Sequence, residues 1–412
     1  MTILKIQIKP MDKILFLLSG CILVMMAGSA RAGKPEAKTK AAVIHQGILT
    51  IDSHTDTPLR MMQKGFDLAV RHDSRKEYTK LDFPRMKEGG LDGTFFGAFV
   101  SQGARNPEGY EKVHKRILLL FDTIEAAVLR HPEMADLAVT PDDAYRLKKE
   151  GKRAVFIGIE NGYAIGKDIG LIEDYFDRGA RYITLCHTKN NDICDSSTDT
   201  VEFKGLSDFG KEVVAEMNRI GMMIDISHAS DKAFYDILSL SKDPVIASHS
   251  CARALCDNPR NLDDKMLVAL AKNGGVIQMC ILSDYVKKPD PNPVRDSLRE
   301  AVYHKYHDWD HMTDEDMKDF RKEMRAIDAV YPPRLATVSD VVDHIEHIVK
   351  VAGIDHVGIG TDFDGGGGVE GCYDVSEMGN ITVELVKRGY SKGAIRKIWG
   401  GNLMRVMRKV LN

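Results

Sequence analysis

The chain has 412 residues, of which 43% are apolar and 28% are charged. This is the balance of an ordinary soluble globular protein, and it excludes a largely disordered chain or a multi-span membrane protein. The 57 Lys and Arg residues against 60 Asp and Glu give a net charge of −3, which argues against a protein that binds nucleic-acid backbones. The length does not require several domains, because α/β barrels of this size form around one core.

The N-terminal segment has the pattern of an export signal. Lysines precede an apolar run over residues 14–28, and Ser29-Ala30-Arg31-Ala32 ends in an A-x-A cleavage site. Such a segment describes a secretory signal peptide, and the run is short for a membrane span. We expect residues 1–32 to be removed and the mature protein to be periplasmic. The alternative is lipid attachment at Cys21, which ends a lipoprotein-like Leu-Ser-Gly-Cys box.

Eight short runs of apolar and β-branched residues recur along the mature chain. Near-continuous apolar runs indicate strands buried on both faces of a parallel sheet. The runs are Ile48–Ile51, Thr94–Val100, Ala154–Ile159, Tyr182–Cys186, Met222–Ile226, Pro244–Ser248, Gly275–Cys280 and His356–Gly360. Eight strands that alternate with helices predict a single (β/α)8 TIM barrel. A doubly wound open sheet is the alternative, but it usually has fewer strands.

Helical patterns fill most intervals between these runs. The predicted helices cover Gly109–Arg130, Pro141–Glu150, Asp168–Arg178, Ser207–Ile220, Asp231–Leu240 and Asp263–Lys272. Thr140, Asp231 and Asp263 occupy positions where N-cap residues belong, and Pro141 then falls at the first helical position. The caps and the runs together support the alternating order of strands and helices.

The interval before the eighth run is much longer than the others. Residues 283–333 combine a Pro-rich stretch with a highly charged helical pattern, which predicts an inserted excursion on the loop face of the barrel. It is expected to be a lid, an oligomer contact or solvated decoration. His304, His307 and His311 within it are weak candidates for metal ligands.

Six cysteines follow the predicted signal peptide. They are Cys186, Cys194, Cys251, Cys256, Cys280 and Cys372. None belongs to a C-x-x-C pair, which argues against a zinc ribbon or a thioredoxin-like site. A core of this size does not need disulfides, so we expect most of these residues to be small buried apolar side chains.

Six of the eight runs end in residues that bind metals or transfer protons. In a (β/α)8 barrel the carboxyl ends of the strands meet at the face that carries the active site. The residues at and just past those ends are His54, Asp56, Glu160, His187, His228, His249 and Asp362. The convergence of imidazole and carboxylate groups predicts a metal site at that face, with Zn²⁺ as the first candidate.

The spacing of these residues suits two ions. His54 and Asp56 lie two apart, so both side chains of an extended segment point to one side. His228 and His249 follow adjacent strands and would hold a second ion. Glu160, with two carboxylate oxygens, is the natural bridge between the ions. Two such ions lower the pKa of a shared water and supply hydroxide near neutral pH.

His187 and Asp362 remain outside this ligand set. They suit an oxyanion donor and a proton shuttle, respectively. Competing motifs fail on their spacing: His344-Ile345-Glu346-His347 lacks the H-E-x-x-H pattern and is expected to be a solvated helix face. A calcium loop that starts at Asp362 would have Tyr373 at its twelfth position instead of Glu.

Seven segments of the chain, taken together and in order, resemble the membrane dipeptidase (renal dipeptidase) family over roughly residues 46 to 405. The segments are Asp52-Ser53-His54-Thr55-Asp56, Gly158-Ile159-Glu160-Asn161-Gly162, Leu185-Cys186-His187, Asp225-Ile226-Ser227-His228, Ser248-His249-Ser250, Pro259-Arg260-Asn261 and Gly360-Thr361-Asp362-Phe363-Asp364-Gly365. The resemblance implies a metal-dependent amidohydrolase-like barrel with two Zn²⁺ per chain and a dipeptide substrate.

The resemblance also implies a role for each site residue. His54 and Asp56 would bind one zinc, His228 and His249 the other, and Glu160 both. His187 would steady the oxyanion, and Asp362 would pass a proton to the leaving amine. Arg260 would bind the terminal carboxylate of the substrate, to which its planar guanidinium is suited.

The expected activity is hydrolysis of dipeptides that have a free C-terminal carboxylate, L-D dipeptides included, by an exported bacterial homodimer. The animal members are anchored through a C-terminal lipid signal, whereas Leu411-Asn412 ends this sequence without an apolar tail. One alternative is an amidohydrolase that acts on N-acyl amino acids or lactams. Another is a non-catalytic metal-dependent binding protein, against which the intact ligand set argues.

Overall fold

The structure is a computed structural model that describes residues 34–306 and 314–411. The predicted signal peptide, its alternative lipid site at Cys21, and His307 and His311 of the insert lie outside these residues. Within them, no helix is both long enough and apolar enough to cross a membrane.

A sheet of parallel strands forms the centre of the molecule, with neighbours in the order β1-β2-β4-β5-β6-β7-β8-β9 and β3 added beside β4. The strands are β1 (Ile51–Thr55), β2 (Gly93–Phe99), β3 (Ala135–Leu137), β4 (Arg153–Glu160), β5 (Ala180–Thr184), β6 (Met223–Asp225), β7 (Ile246–Ser250), β8 (Val276–Met279) and β9 (Val357–Ile359). The first and last strands meet where the Asp56 amide donates to the Phe363 carbonyl at 2.8 Å. The sheet is thus a nearly closed eight-stranded barrel, and the predicted TIM-barrel fold is confirmed.

Helices surround the barrel and follow the strands as predicted. They are α1 (Lys34–Gln46), α2 (Pro58–Met61), α3 (Ser74–Glu77), α4 (Phe83–Gly89), α5 (Pro107–Leu129), α6 (Pro141–Glu150), α7 (Gly170–Asp177), α8 (Asp208–Ile220), α9 (Asp231–Leu240), α10 (Asp264–Asn273), α11 (Ser283–Val286), α12 (Pro293–Lys305), α13 (Asp314–Val330), α14 (Val338–Ala352), α15 (Gly379–Lys387), α16 (Lys392–Arg396) and α17 (Asn402–Val410). Helices α11, α12 and α13 occupy the long interval between β8 and β9, where the sequence predicts an excursion.

The caps explain where several helices begin. Thr140 caps α6, with its side chain accepting from the Asp143 amide, and Pro141 holds the first helical position. Asp263 caps α10 as predicted. The predicted cap of α9 is wrong by one residue, because the hydroxyl of Ser230 accepts from the Ala233 amide and Asp231 already belongs to the helix.

Two strands differ most from the sequence prediction, whereas the others shift by at most two residues at either end. The first strand covers Ile51–Thr55 rather than Ile48–Ile51, because its polar residues are buried at the end of the barrel instead of lying in a loop. The short strand β3 had not been predicted, since three residues that pair only with β4 carry too little pattern.

Aromatic rings fill the barrel below its carboxyl end. Phe95 stacks on Phe156 with ring centroids 4.6 Å apart and on Tyr182 at 5.4 Å. Gly158 makes room for this stack, since a Cβ there would lie 2.0 Å from the Tyr182 ring. The amphipathic helix α17 buries Leu403, Met404 and Met407 against the opposite end of the barrel, so packing fixes the floor of the site.

The six cysteines that follow the predicted signal peptide are all buried and free, in agreement with the sequence expectation. The prediction of a solvated face around His344 is wrong. His344 is 1% exposed, and its Nδ1 accepts from the Ala252 amide at 3.1 Å while Nε2 donates to the Val286 carbonyl at 2.8 Å. This histidine ties helix α14 to the loop after β7, which a helical pattern alone does not reveal.

Candidate metal centre

The seven side chains predicted from the strand ends meet at the carboxyl end of the barrel. They form three overlapping groups in which the ligand atoms lie within 4.8 Å of one another: His54, Glu160 and His249; Glu160, His187 and His228; His54, Asp56 and Asp362. Because Glu160 and His54 each belong to two groups, the three groups make one continuous cluster. The cluster pairs His54 with His249 as well as with Asp56, so the partition of ligands between two ions stays a prediction.

Glu160, the last residue of β4, stands at the centre of the cluster. Its Oε2 lies 3.4 Å from Nε2 of His54. Its Oε1 lies 3.1 Å from Nε2 of His228 and 3.4 Å from Nε2 of His249. The two carboxylate oxygens thus face different imidazoles, which is the geometry that a bridging ligand needs.

The backbone turns several of these side chains inward. His54 and His249 lie within strands β1 and β7, where alternation directs them into the barrel. His228 and Asp362 follow β6 and β9 in left-handed backbone conformations with φ of 69° and 59°. A non-glycine residue in this region carries strain of order 1 kcal/mol, and such strain is typical of functional sites.

The cluster fits a bound cation, as its unsatisfied atoms show. The buried atoms His54 Nε2 and Asp56 Oδ1 have no hydrogen-bond partner, and such an orphaned group normally costs about 1–3 kcal/mol. The Nε2 atoms of His228 and His249 face each other at 3.0 Å. A divalent cation would satisfy these atoms, and the imidazole and carboxylate donors suit Zn²⁺.

Hydrogen bonds behind the rings set which nitrogen faces the cluster. The Tyr182 hydroxyl donates to the Ser53 carbonyl at 3.2 Å and lies 2.8 Å from Nδ1 of His54, so it accepts the Nδ1 proton. The Ser248 hydroxyl donates to Asp225 at 2.6 Å and lies 2.8 Å from Nδ1 of His249. Both rings therefore carry the proton on Nδ1 and leave the Nε2 lone pair for a metal.

These supporting residues could not be found from the sequence. Tyr182 lies inside a predicted strand and Ser248 at the end of another, and neither position shows which side-chain hydroxyl meets which ring. Asp225 was one of several acidic residues near strand ends. Its carboxylate also accepts from the Ser248 and Ser227 amides at 2.8 Å and 3.0 Å, so it serves the backbone as well as the site.

Burial and mutual charge set the proton affinities within the cluster. Burial lowers the pKa of His228 and His249 well below the usual value, which keeps these rings in the neutral form that binds metals. Burial opposes ionisation of Glu160, but its interactions with His54, His187 and His228, which include hydrogen bonds from His228 and His54, hold its pKa well below the usual range. Burial raises the pKa of Asp362 to about 7.

Arg260 lies beside the cluster and is 4% exposed. Its Nη2 donates to the His249 carbonyl at 3.1 Å, while its buried Nε has no hydrogen-bond partner. After burial, its positive charge is the largest cause that lowers the pKa of His228. The Tyr285 ring, whose centroid lies 5.4 Å from the guanidinium carbon, is a further neighbour that the sequence did not indicate.

Two other residues frame this end of the site. His187 keeps 24% of its side chain exposed and places Nε2 3.7 Å from Glu160 Oε1, while the Phe99 ring packs against it at 4.7 Å. Burial lowers the pKa of His187, which favours a neutral ring. Arg253, which precedes Arg260 on the same loop, donates to Asp231 through bonds of 2.7 Å and 2.6 Å.

Imidazoles and carboxylates gathered around a shared glutamate at the carboxyl end of a parallel barrel are typical of a metal-dependent enzyme. The family model "Membrane dipeptidase (Peptidase family M19)" matches residues 38–412. The chain belongs to this family of metallo-dipeptidases, which confirms the resemblance found in the sequence.

Individual relatives agree with this assignment. Dipeptidase tcpJ of Claviceps purpurea is 31% identical over 370 residues, which cover 87% of this chain and 76% of the relative. Dipeptidase ataJ of Aspergillus terreus is also 31% identical, over 87% of this chain and 84% of its own length. The crystal structure of the probable dipeptidase PvdM from Pseudomonas aeruginosa is 29% identical, with a TM-score of 0.79 over 92% of this chain and 99% of that one.

Proposed function

We propose that the protein is a binuclear zinc dipeptidase that hydrolyses dipeptides with a free C-terminal carboxylate, L-D dipeptides included. The observation that carries the proposal is the position of Glu160, whose two oxygens face His54 on one side and His228 and His249 on the other. His54 and Asp56 would hold one ion, His228 and His249 the second, and Glu160 both. The bound ions would supply an activated water and a polarised substrate carbonyl.

The substrate carboxylate is bound by Arg260 in this proposal. The guanidinium is buried beside the cluster, and its Nε has no partner within the protein. A buried cation with an unsatisfied donor favours an anionic ligand, and the planar fork of arginine matches a carboxylate. Binding there would direct the peptide bond across Glu160 and restrict the substrate to a free acid.

His187 and Asp362 act on the reacting groups. The neutral ring of His187 lies at the more open side of the cluster, where Nε2 can donate to the oxygen of the attacked carbonyl. Asp362 belongs to the group with His54 and Asp56, where its carboxyl can pass a proton to the leaving amine. The chain's own residues therefore cover binding, oxyanion stabilisation and proton transfer.

A panel of dipeptides tests this function. Ala-Ala of L-L and L-D configuration should both release amino acids, and prolonged chelation should abolish the release until Zn²⁺ is added back. N-acetyl-alanine and a lactam belong in the same panel, because hydrolysis of either in preference to the dipeptides would instead favour the broader amidohydrolase. Absence of hydrolysis by the zinc-loaded protein would contradict the proposal.

We also propose that the protein is exported to the periplasm and forms a homodimer there. The export proposal is supported by the basic, apolar and small-residue order of residues 1–32. N-terminal sequencing should find Gly33 as the first residue of periplasmic protein, whereas fatty acid on Cys21 of membrane-bound protein would favour the lipoprotein alternative. Light scattering of the purified protein should give twice the chain mass, and a single chain mass would exclude the dimer.

A further inference from the structure

The insert between β8 and β9 brings arginines to the rim of the metal centre. Arg321 of α13 is half-buried, and within the described residues its guanidinium makes no hydrogen bond or ion pair. Two effects lower the pKa of Arg321 to about 10: burial, which is the larger effect, and the positive charges of Arg60 and Arg325. Neighbouring positive charges lower the pKa of a buried cation when they lie close to it.

Arg60 of α2 joins this group to the metal centre. It follows the candidate ligand Asp56 by one helical turn, and its side chain is 16% exposed. Its buried Nε has no hydrogen-bond partner, and the nearest carboxylate oxygen, Oδ1 of Asp364, lies 3.7 Å away. A buried guanidinium nitrogen without a partner costs free energy unless a ligand satisfies it.

Asp364 pairs with Arg60 but carries one negative charge against the positive charges of Arg60, Arg321 and Arg325, and its oxygens also accept from other donors. Oδ1 accepts from the Lys80 amide at 2.8 Å, and Oδ2 accepts from the Thr57 hydroxyl at 2.8 Å. Arg325 lies over the Tyr78 ring at 4.4 Å, and its guanidinium adds a further positive charge to the group. Asp328, which acts on Tyr78, lies 3.5 Å from Arg299.

Glycines follow Asp364 at the edge of the metal centre. Gly365 and Gly366, which follow Asp364, are exposed. A Cβ at Gly365 would lie 2.2 Å from both Asp362 Oδ1 and Asp56 Oδ2, so this glycine lies directly against the cluster. A ligand can therefore extend from the metal centre toward Arg60 without meeting a side chain at these two positions.

The direction of the substrate decides which of its groups reaches the arginines. Arg260 lies beside His249, whereas Arg60 follows Asp56, which belongs to a different ligand group from His249. A dipeptide whose carboxylate binds Arg260 thus points its first residue toward Arg60. We propose that Arg60 and Arg321 bind an acidic side chain on the N-terminal residue of the dipeptide, an inference that rests on the proposed dipeptidase function.

Pairs of dipeptides that have nearly the same shape but differ by one negative charge test the inference. For wild-type protein we expect kcat/KM to be at least about tenfold higher for Glu-Ala than for Gln-Ala, as one charge-assisted contact provides. The pair Ala-Glu and Ala-Gln, with the charge on the second residue, should differ far less. The Glu-Ala preference should shrink as ionic strength rises, because salt screens partly exposed charges.

Substitution of Arg321 assigns the preference to the insert. Arg321→Gln should reduce kcat/KM for Glu-Ala about tenfold more than for Gln-Ala, and Arg321→Glu should turn the preference toward Lys-Ala. Lys322→Gln, which removes an exposed charge from the adjacent position of the same helix, should retain the wild-type ratio. Thermal unfolding of each variant, together with the wild-type salt series, separates lost recognition from lost folding.

The outcomes distinguish this inference from the function on which it rests. Equal kcat/KM for Glu-Ala and Gln-Ala in the wild type would overturn the acidic subsite while retaining the dipeptidase. A Glu-Ala preference that survives in folded Arg321→Gln would overturn the assignment to Arg321. Failure of the zinc-loaded protein to hydrolyse any of these dipeptides would overturn the proposed function and, with it, the subsite.

Discussion

The hydroxyl of Tyr182 lies 2.8 Å from Nδ1 of His54, on the side of the imidazole that faces away from the metal-binding cluster. The same hydroxyl donates to the Ser53 carbonyl, so it can only accept from His54 and thereby holds the ring in the tautomer whose Nε2 binds metal. An aromatic residue of the barrel floor thus orients a candidate ligand.

Tyr182→Phe should weaken zinc binding by about ten- to a hundredfold, which is the usual effect of removing a group that orients a metal-binding histidine. Competition with a chromogenic chelator measures this affinity directly. Tyr175→Phe is the matched control, because its buried hydroxyl donates to the Ala164 carbonyl at 2.9 Å outside the cluster. Equal zinc affinities in wild type and Tyr182→Phe would show that the hydroxyl does not orient His54.

Much of this site could be predicted because a barrel converts order along the chain into proximity. His54, Glu160, His249 and Asp362 are far apart in sequence, yet each lies near the carboxyl end of a strand, and parallel strands present those ends at one face. The supporting contacts could not be predicted, because the orientation of Tyr182 depends on packing. The cationic group at Arg321 belongs to an insert whose position no strand pattern specifies.

Gly365→Ala should disturb the metal centre although it adds only one methyl group. A Cβ there would lie 2.2 Å from oxygens of both Asp56 and Asp362, so both carboxylates would have to move. Misplacement of reacting groups by about 1 Å can cost about a hundredfold in rate, and we expect at least a tenfold loss of kcat/KM. Gly379→Ala is the control, since its nearest neighbouring atom is the Gly89 carbonyl oxygen at 4.0 Å; similar activities for the two variants would contradict this account.

Arg260→Ala should lose about ten- to a hundredfold in kcat/KM on a free dipeptide, the value of a charge-assisted pair in a partly dry site. On the matching dipeptide amide the loss should be small, because the carboxylate is already absent. His187→Ala should instead depress kcat on both substrates, because an oxyanion donor acts on the reacting carbonyl. An equal loss for Arg260→Ala on acid and amide would mean that the carboxylate binds elsewhere.

Lys80 gives the stability of the protein a distinct pH dependence. Burial lowers its pKa to about 8, although the charge of Asp364 opposes this shift, whereas the unfolded chain keeps a value of about 10.4. The folded state therefore binds fewer protons than the unfolded state between these pH values, and this residue's contribution to stability rises with pH. Between pH 8 and 10.5, the free energy of unfolding of the wild type should rise relative to that of Lys80→Met by on the order of 3 kcal/mol, as measured by denaturant unfolding. A difference that stays constant over this range would rule out the lowered pKa.

The central claim, that Glu160 and four other ligands hold a pair of zinc ions required for dipeptide hydrolysis, is tested most directly by metal analysis of the mature protein. Elemental analysis after reconstitution should find close to two zinc ions per chain, and activity should rise and fall with this content as metal is removed and restored. Glu160→Gln should lose more zinc than replacement of any single histidine ligand, because Glu160 serves both ions. A zinc content near zero, or activity that prolonged chelation leaves unchanged, would contradict the account.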